Sequence, residues 1–175
     1  MNNYDVQTIL SKDDISKLLT CYSLCDAVFA HQDYNLFDIE KRVAPSNNEQ
    51  LHKLNDYANA KKHGHHYFLK YTKDSFTRMH TDDSNAVGKT IVTLVESRGL
   101  VGGETLIMDR YKSKPRPAHK YAKRVGDTPS YGKDIIPRIV DMEDGQSVIY
   151  NHNTQHGVCQ VKEGYRIVLV SWYSK

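Results

Sequence analysis

Four residues that suit one metal ion and one anion place the strongest constraint on how this chain can fold. His80 and Asp82 alternate with Thr81, so on an extended segment both side chains point to the same side and can share a metal ion. His156 lies far along the chain, and Arg166 follows it ten residues later. Two imidazoles and one carboxylate on one face of an octahedral ion leave three positions open. We therefore expect an opposing strand to bring His156 against the other two ligands.

Arg166 extends this pattern from a metal site to a site for a metal and a dicarboxylic acid. An Fe(II) ion with three open positions can bind the C1 carboxylate and keto oxygen of 2-oxoglutarate, and O2 in the third. The far carboxylate then needs a buried cation, and a guanidinium can bind it with two parallel hydrogen bonds. Arg166 precedes the apolar run Ile167 to Val170, where an unpaired guanidinium would be costly to bury. The alternatives are that Arg166 points outward or pairs with an internal acid such as Glu104. Zinc would also fit the triad, but it leaves Arg166 unexplained.

The His-x-Asp triplet alone is weak evidence, because the chain contains a second copy that begins at His31. His31 follows a predicted helix over Ser11 to Ala30 and has no strand pattern before it. His80 instead follows the β-rich stretches Tyr67 to Tyr71 and Phe76 to Met79. We therefore interpret His31 as a surface or loop histidine.

Hydrophobic periodicity predicts two helices followed by strands up to the C-terminus. The first helix begins at Ser11, which has an acid three residues later, and the second spans Asn48 to Ala60. A turn is predicted at Ser97 to Gly102. The predicted strands are His65 to Tyr71, Phe76 to Met79, Lys89 to Glu96, Glu104 to Met108, Ile135 to Met142, Gln146 to Tyr150, Gly157 to Val161 and Arg166 to Tyr173.

A long basic segment, Arg110 to Lys133, has no sustained period and is predicted to be a loop. Between Asp109 and Asp134 the chain has eight Lys or Arg against three Asp, a local charge of +5. This charge favours an acidic partner, so the loop could be a substrate-side lid in which Arg110 and Lys112 contact the substrate. A hydrated surface loop is the alternative interpretation.

Composition agrees with one small globular domain spanning residues 1–175. A chain of this length can bury roughly 70% of its unfolded surface. The formal net charge is only +3, which does not indicate a nucleic-acid binder, and no apolar run approaches the 18 residues of a membrane helix. Three cysteines give no paired framework, so we expect a reducing compartment and a cytoplasmic location.

Several further motifs occur in a fixed order around the four site residues. They are Tyr71, nine residues before His80; Thr90 to Leu94; Gly102-Gly103-Glu104-Thr105; Asp144-Gly145 before Ser147 to Tyr150; His156-Gly157-Val158; and Gly164-Tyr165-Arg166, followed by Trp172.

From Tyr71 to the C-terminus, these motifs resemble the Fe(II)/2-oxoglutarate-dependent dioxygenases, in particular the prolyl 4-hydroxylase-like branch. The resemblance implies a mainly β fold with flanking helices, whose core is a double-stranded β-helix of the jelly-roll, cupin-like kind. Residues 63–175 would form this core and residues 1–62 a helical support. Two positions depart from the pattern: Asp74 replaces a usual glycine, and Arg166 stands where hydroxyproline-forming members often have lysine.

The resemblance also implies roles for individual residues. The iron ligands would be His80, Asp82 and His156, and Arg166 would bind the C5 carboxylate. Tyr71 and Thr105 would donate hydrogen bonds to the same carboxylate, Trp172 would lie beside the metal pocket, and Lys89 would contact substrate. The cofactors implied are Fe(II), 2-oxoglutarate as cosubstrate and O2, with ascorbate as a candidate reductant.

The implied activity is hydroxylation of an unactivated C–H bond, with release of succinate and CO2. Asp82 argues against halogenation, because related halogenases have a small residue there. A peptide or protein side chain, proline first, is the expected substrate. A free small metabolite or a nucleic acid is the alternative, although Trp172 occupies the position of a second arginine in nucleic-acid demethylases. A non-catalytic cupin-like binding domain is a more distant alternative.

Overall fold

Antiparallel strands dominate the computed structural model, which describes residues 4–33, 35–59, 64–82, 87–110 and 135–174. Within these ranges the chain forms ten strands and two helices. In chain order they are β1 (Tyr4–Gln7), α1 (Lys12–Leu24), β2 (Ala27–Asp33), β3 (Leu36–Val43), α2 (Glu49–Ala58), β4 (His65–His80), β5 (Val87–Gly102), β6 (Thr105–Arg110), β7 (Ile135–Val140), β8 (Ser147–Asn151), β9 (His156–Val158) and β10 (Val161–Ser174).

The strands form two layers that share β4. The major layer has the order β1-β8-β5-β10-β4-β3-β2, and the minor layer has the order β4-β9-β6-β7. The first part of β4 pairs with β10 and the last part with β9. Between them Asp74 has a φ of 72°, a left-handed conformation that aspartate tolerates better than most side chains. The curled, two-layered antiparallel sheet confirms the predicted double-stranded β-helix.

The main apolar core lies between the two layers, and a second core lies under the helices. β10 contributes to both, because successive side chains of a strand point to opposite faces. Val168 and Val170 face the interior, whereas Ile167 and Leu169 pack with the residues beneath α1 and α2. A strand that is buried on both faces has apolar residues at every position. This explains why the sequence of β10 does not alternate between apolar and polar residues over Ile167 to Val170.

The first helix ends earlier than its periodicity predicts. We predicted a helix up to Ala30, but α1 ends at Leu24 and Ala27–Asp33 forms β2, an edge strand paired with β3. The Arg42 guanidinium donates to the carbonyl oxygens of Tyr22 (3.0 Å) and Cys25 (2.8 Å), so it satisfies acceptors at the helix end. The apolar spacing that suggested a longer helix belongs to the exposed side chains of β2.

Other predicted boundaries also change. The turn predicted at Ser97 to Gly102 is wrong, because β5 continues to Gly102 with bulges opposite β10. The first 59 residues contribute three strands besides the two helices, so this region is not helical throughout. The basic segment lies outside the described residues except for the backbone of Arg110, which ends β6. No helix in the described ranges is long and apolar enough to span a membrane.

The predicted cap of α1 is confirmed and also connects the two helices. The buried Asp14 carboxylate accepts hydrogen bonds from the Ser11 backbone N–H (3.0 Å) and hydroxyl (2.7 Å). The Lys53 ammonium of α2 donates to its other oxygen at 2.6 Å. The bond from Lys53, followed by those from Ser11, holds the pKa of Asp14 well below its usual value of 3.8. The charged carboxylate therefore stabilises the folded state above pH 3.8, and this contribution is lost as the pH falls.

We expect Asp14→Asn to lower the free energy of unfolding by about 1–2 kcal/mol at pH 7, the usual cost of losing a helix cap. Urea titrations between pH 7 and pH 3 should show the difference narrowing below pH 4, because the unfolded chain then takes up a proton at this carboxyl while the folded state keeps it charged. Asp13→Asn is the matched control, because Asp13 is 75% exposed and pairs only with Lys17 of the same helix. A difference that stays constant down to pH 3 would contradict the assigned ionic contribution.

Candidate active site

Three side chains with metal-binding atoms meet where β4 pairs with β9. His80 ends β4, His156 begins β9, and the two residues are direct partners in the antiparallel register. Asp82 Oδ1 lies 4.0 Å from His80 Nε2 and 3.7 Å from His156 Nε2. One ligand atom from each residue lies within 4.8 Å of the other two. A single strand pairing thus unites ligands that are far apart in the chain.

Hydrogen bonds aim the ligand atoms at one point. His80 Nδ1 lies 2.8 Å from the carbonyl oxygen of Arg78, and His156 Nδ1 lies 3.0 Å from that of Thr154. Because a carbonyl oxygen can only accept, each Nδ1 carries the proton and each Nε2 presents its lone pair. The Thr90 hydroxyl donates to Asp82 Oδ2, which leaves Oδ1 for a metal. This donor set fits Fe(II), and it leaves coordination positions for other ligands.

Burial shapes the ionisation of these ligands. It lowers the pKa of His156 to about 3, so this imidazole is neutral near pH 7, the form that binds metals. Burial also raises the pKa of the Asp82 carboxyl, while the Thr90 hydrogen bond and His80 oppose that shift. A divalent cation at the three ligand atoms would compensate the buried carboxylate.

Arg166 is a buried cation with an unused donor. Its side chain is only 3% exposed, and its Nη1 donates to the Gly103 carbonyl oxygen. Both Nη atoms lie 3.1 Å from Thr105 Oγ1, whereas Nε has no hydrogen-bond partner among the described residues. Burial lowers the pKa of the guanidinium. Within the described ranges no carboxylate lies within ion-pair distance of it, Glu104 included, so an incoming anion would be its counter-charge.

Tyr71 and Thr105 lie beside this guanidinium, as the sequence analysis expects. Tyr71 of β4 is the direct cross-strand partner of Arg166, whose guanidinium carbon lies 5.8 Å from the centre of the Tyr71 ring. The Tyr71 hydroxyl is 2.8 Å from Thr77 Oγ1. Thr77 was not singled out from the sequence, although it lies three positions before His80 on a predicted strand. These hydroxyls can donate to an anion held by Arg166.

One cavity between the two layers connects the metal ligands with Arg166. Its walls also include Leu36, Tyr67, Leu69, Tyr71, Thr77, Val92, Thr105, Tyr150, Gly157, Val158, Val168, Val170 and Trp172. A larger and more open depression, lined by residues of α1, α2 and β3 such as Lys17, Cys21 and Asn48, shares no residue with this cavity. The candidate metal ligands and Arg166 therefore line the narrower cavity between the layers, and none of them lines the open depression.

The remaining sequence-predicted residues fall in different places. Trp172 lines the cavity near the metal ligands. Lys89 does not, because it adjoins Thr90, whose side chain faces Asp82, and so projects from the opposite side of β5. The side chain of Arg110 and all of Lys112 lie outside the described residues. His31 lies on β2 and not after a helix, but its side chain is 85% exposed, as a surface histidine should be.

Thr90 and Tyr150 are site residues that the sequence analysis did not identify. Thr90 was read only as part of a β-branched strand, yet it is fully buried and bonds to Asp82. The Tyr150 ring packs on the His156 ring with centres 4.5 Å apart. Each residue stands at an inward-facing strand position, which can be assigned only when the strand pairing is known.

Comparison of the fold places it among known structures. No protein-family model and no curated protein matches this sequence. A prolyl-4-hydroxylase from Pseudomonas putida is similar in structure, with a TM-score of 0.68 at 15% identity, and covers 100% of this chain and 94% of its own. An oxidoreductase of the 2OG-Fe(II) oxygenase family from Burkholderia pseudomallei has a TM-score of 0.67 at 14% sequence identity. The match covers 98% of this chain and 85% of that protein. HygX from Streptomyces hygroscopicus was solved with nickel, 2-oxoglutarate and hygromycin B. Its TM-score is 0.66 at 14% sequence identity, and the match covers 99% of this chain and 83% of HygX. At these identities the likeness shows the shared fold.

We expect His80→Ala, Asp82→Ala and His156→Ala each to weaken metal binding on the order of 100-fold or more, because losing a ligand costs more than losing a group that only orients one. Anaerobic calorimetric titration with Mn(II) or Fe(II) measures this affinity, and circular dichroism checks that each variant is folded. His31→Ala is the matched control and should bind as the wild type does. Wild-type affinity in any of the three variants would remove that residue from the ligand set.

Proposed function

We propose that this protein is an Fe(II)- and 2-oxoglutarate-dependent dioxygenase that hydroxylates an unactivated C–H bond and releases succinate and CO2. One observation carries the proposal. A single cavity contains both a His-Asp-His set with aimed ligand atoms and a buried guanidinium with an unused donor. A zinc hydrolase would use the first feature and leave the second without a purpose.

The chain's own residues would divide the work. His80, Asp82 and His156 would hold the iron on one face, with the open positions toward the cavity. When bound, the iron would activate O2, the oxidant; oxidation of the 2-oxo acid to succinate and CO2 would supply two of the four electrons and the C–H bond the other two. Arg166 would bind the distal carboxylate of the 2-oxo acid, and the hydroxyls of Thr105 and Tyr71 would orient it.

The apolar walls of the cavity support the same function. Val92, Val168 and Val170 line the space between the metal ligands and Arg166. Their side chains exclude water, and charge-assisted hydrogen bonds are stronger in such a low-dielectric space than in solvent. An exposed arginine could not bind a carboxylate as tightly, since solvent would screen the pair.

A peptidyl or protein side chain, proline first, is the substrate we propose. The order of motifs from Tyr71 onward resembles the prolyl 4-hydroxylase-like branch, and the Pseudomonas putida structure has the same fold. A free small metabolite is the second candidate, because HygX of similar fold was solved with hygromycin B. Nucleic acid ranks below both, since Trp172 replaces the second arginine of the demethylases.

Succinate formation tests the proposed reaction. Purified protein loaded anaerobically with Fe(II) would be mixed with 2-oxoglutarate, ascorbate, O2 and either proline-containing peptides or small metabolites. We expect succinate to form in step with a product heavier by one oxygen atom, measured by mass spectrometry. The Asp82→Ala protein is the negative control. Equal succinate from wild type and Asp82→Ala, or none from either with iron bound to the wild type, would contradict the proposal.

Arg166→Ala should raise the KM for 2-oxoglutarate tens-fold or more, since losing one partner of a desolvated charge pair costs about 2–5 kcal/mol. Arg166→Lys should restore only part of the affinity, because an ammonium is a point charge and lacks the planar fork. Mn(II) affinity should not change in either variant. Arg98→Ala is the matched control, since Arg98 is 70% exposed and pairs with Glu96. An unchanged 2-oxoglutarate requirement in Arg166→Ala would place the anchor elsewhere.

A further inference from the structure

Five residues on five neighbouring strands lie side by side across the major layer. Tyr4 of β1 pairs with Tyr150 of β8, which pairs with Thr90 of β5. Thr90 pairs with Trp172 of β10, and Trp172 pairs with His65 of β4. Residues directly opposite one another on antiparallel strands face the same side of a sheet, so these five form a continuous row. With strands about 4.8 Å apart, the row is roughly 19 Å long. We call it the mouth row.

The middle of the mouth row lies against the candidate metal centre. The Thr90 hydroxyl donates to Asp82, and the Tyr150 ring packs on the His156 ring. Tyr150 and Trp172, on either side of Thr90, both line the cavity. Burial decreases toward the ends: Thr90 and Tyr150 are buried, Tyr4 and Trp172 are half-buried, and His65 is exposed. The row therefore crosses the reactive site, buried at its centre and accessible toward its two ends.

Rings occupy four of the five positions, and neighbouring side chains of the same layer and the main core hold them in place. The Trp172 ring meets the Tyr67 ring edge-on with centres 5.3 Å apart, and its centre lies 6.2 Å from that of His65. Tyr4 packs against the main core together with Val6. Ring faces bind other rings through dispersion and offset stacking, and side chains fixed by packing lose little entropy on binding.

We propose that the mouth row is the substrate trough and that it binds an extended polypeptide in which a ring-bearing residue, prolyl or aromatic, lies two or three positions from the oxidised residue. That flanking ring would pack on Tyr4, the half-buried outer end of the arm formed by Tyr4 and Tyr150. The inference rests on the proposed function and deepens it, because it assigns a substrate class and a subsite. The row's length matches about six extended residues, and the outer end of the arm lies two strand spacings, roughly 10 Å, from Thr90.

The chemistry of the row favours a polypeptide over other polymers. A single-stranded nucleic acid needs cations along its phosphates besides rings to stack on. The row itself contains no lysine or arginine, and Lys89, next to Thr90, projects from the opposite face of β5. An extended peptide rich in rings matches the row, as polyproline segments match aromatic-lined grooves.

Trp172 makes the trough directly measurable, because it is the only tryptophan in the chain. Its emission would be titrated in protein loaded with Mn(II) and 2-oxoglutarate, without turnover. The probes are three decapeptides with one central proline among Gly, Ser and Ala. One has Phe three residues before the proline, one has Phe three residues after it, and one has none. We expect at least one Phe peptide to change Trp172 emission with a Kd roughly tenfold lower than that of the peptide without Phe. A single stacked pair of rings contributes enough binding free energy for a difference of this size.

Variants of the arm provide the decisive comparison. Tyr4→Ser should remove the tenfold preference for Phe, and Tyr4→Phe, which keeps the ring, should retain it. Tyr57→Ser is the matched control, because Tyr57 is a 45% exposed tyrosine on α2, and it should retain the preference too. Mn(II) titration of each variant reports that the metal site is intact.

Three results would overturn the inference. One is equal binding of the three peptides, and another is a Phe preference that survives in Tyr4→Ser. The third is a response of Trp172 to maltohexaose or hexathymidylate in place of the peptides, which would assign the trough to a sugar or a nucleic acid. Failure of the proposed function would be seen in the separate activity assay, as an absence of succinate. The Trp172 titration measures binding without turnover, so it can still be interpreted in that case.

Discussion

The pairing of β4 with strands of both layers is the constraint on which the rest of the site depends. Its first part places Tyr71 opposite Arg166 of β10, and its last residue places His80 opposite His156 of β9. Arg166 and two candidate metal ligands thus lie on or beside one strand, at a separation set by its rise per residue. The bend at Asp74 lets β4 pass from one layer to the other and enclose the cavity between them. A shift of register by one residue would turn these side chains away from the cavity.

Two buried charges indicate that the site is arranged to bind ligands and not to stabilise the fold. Asp82 and Arg166 are both almost inaccessible to solvent, and each forms hydrogen bonds with neutral hydroxyl or carbonyl groups. Nearby charges, His80 for Asp82 and Glu104 for Arg166, offset only part of the effect of burial on their pKa values. Burying an unpaired charge is costly, so the fold tolerates an unfavourable arrangement that a cation and a dianion would each relieve. Ligands that bind only the folded state also stabilise it, which couples occupancy of the site to folding.

The mouth row shows how the same scaffold can accommodate different substrates. Its rings come from four strands, β1, β8, β10 and β4, and the last two strands also carry Arg166 and His80. Substitutions at the ends of the row, such as Tyr4, would change which substrate binds without touching the metal ligands, whereas Thr90 and Tyr150 contact Asp82 and His156. Structures of this fold include a prolyl-4-hydroxylase and HygX with hygromycin B, in agreement with the rule that a fold hosts many functions through its sites.

The sequence by itself identified the candidate metal ligands, Arg166 as a residue of the same cavity, the double-stranded β-helix fold and the capped start of α1. These depend on local patterns: alternation along a strand, residue types with definite chemistry, and a serine with an acid three residues on. Its errors occurred where local patterns are ambiguous. Cys25, Val28 and Phe29 have helical spacing, yet tertiary pairing with β3 makes the last two part of an edge strand. Only the tertiary structure decided that Thr77 and Tyr150 line the cavity, that Thr90 contacts Asp82, and that Lys89 projects from the opposite face. The physical reason is that the face a strand residue occupies depends on register with neighbouring strands, which is a property of the packed sheet and not of the segment.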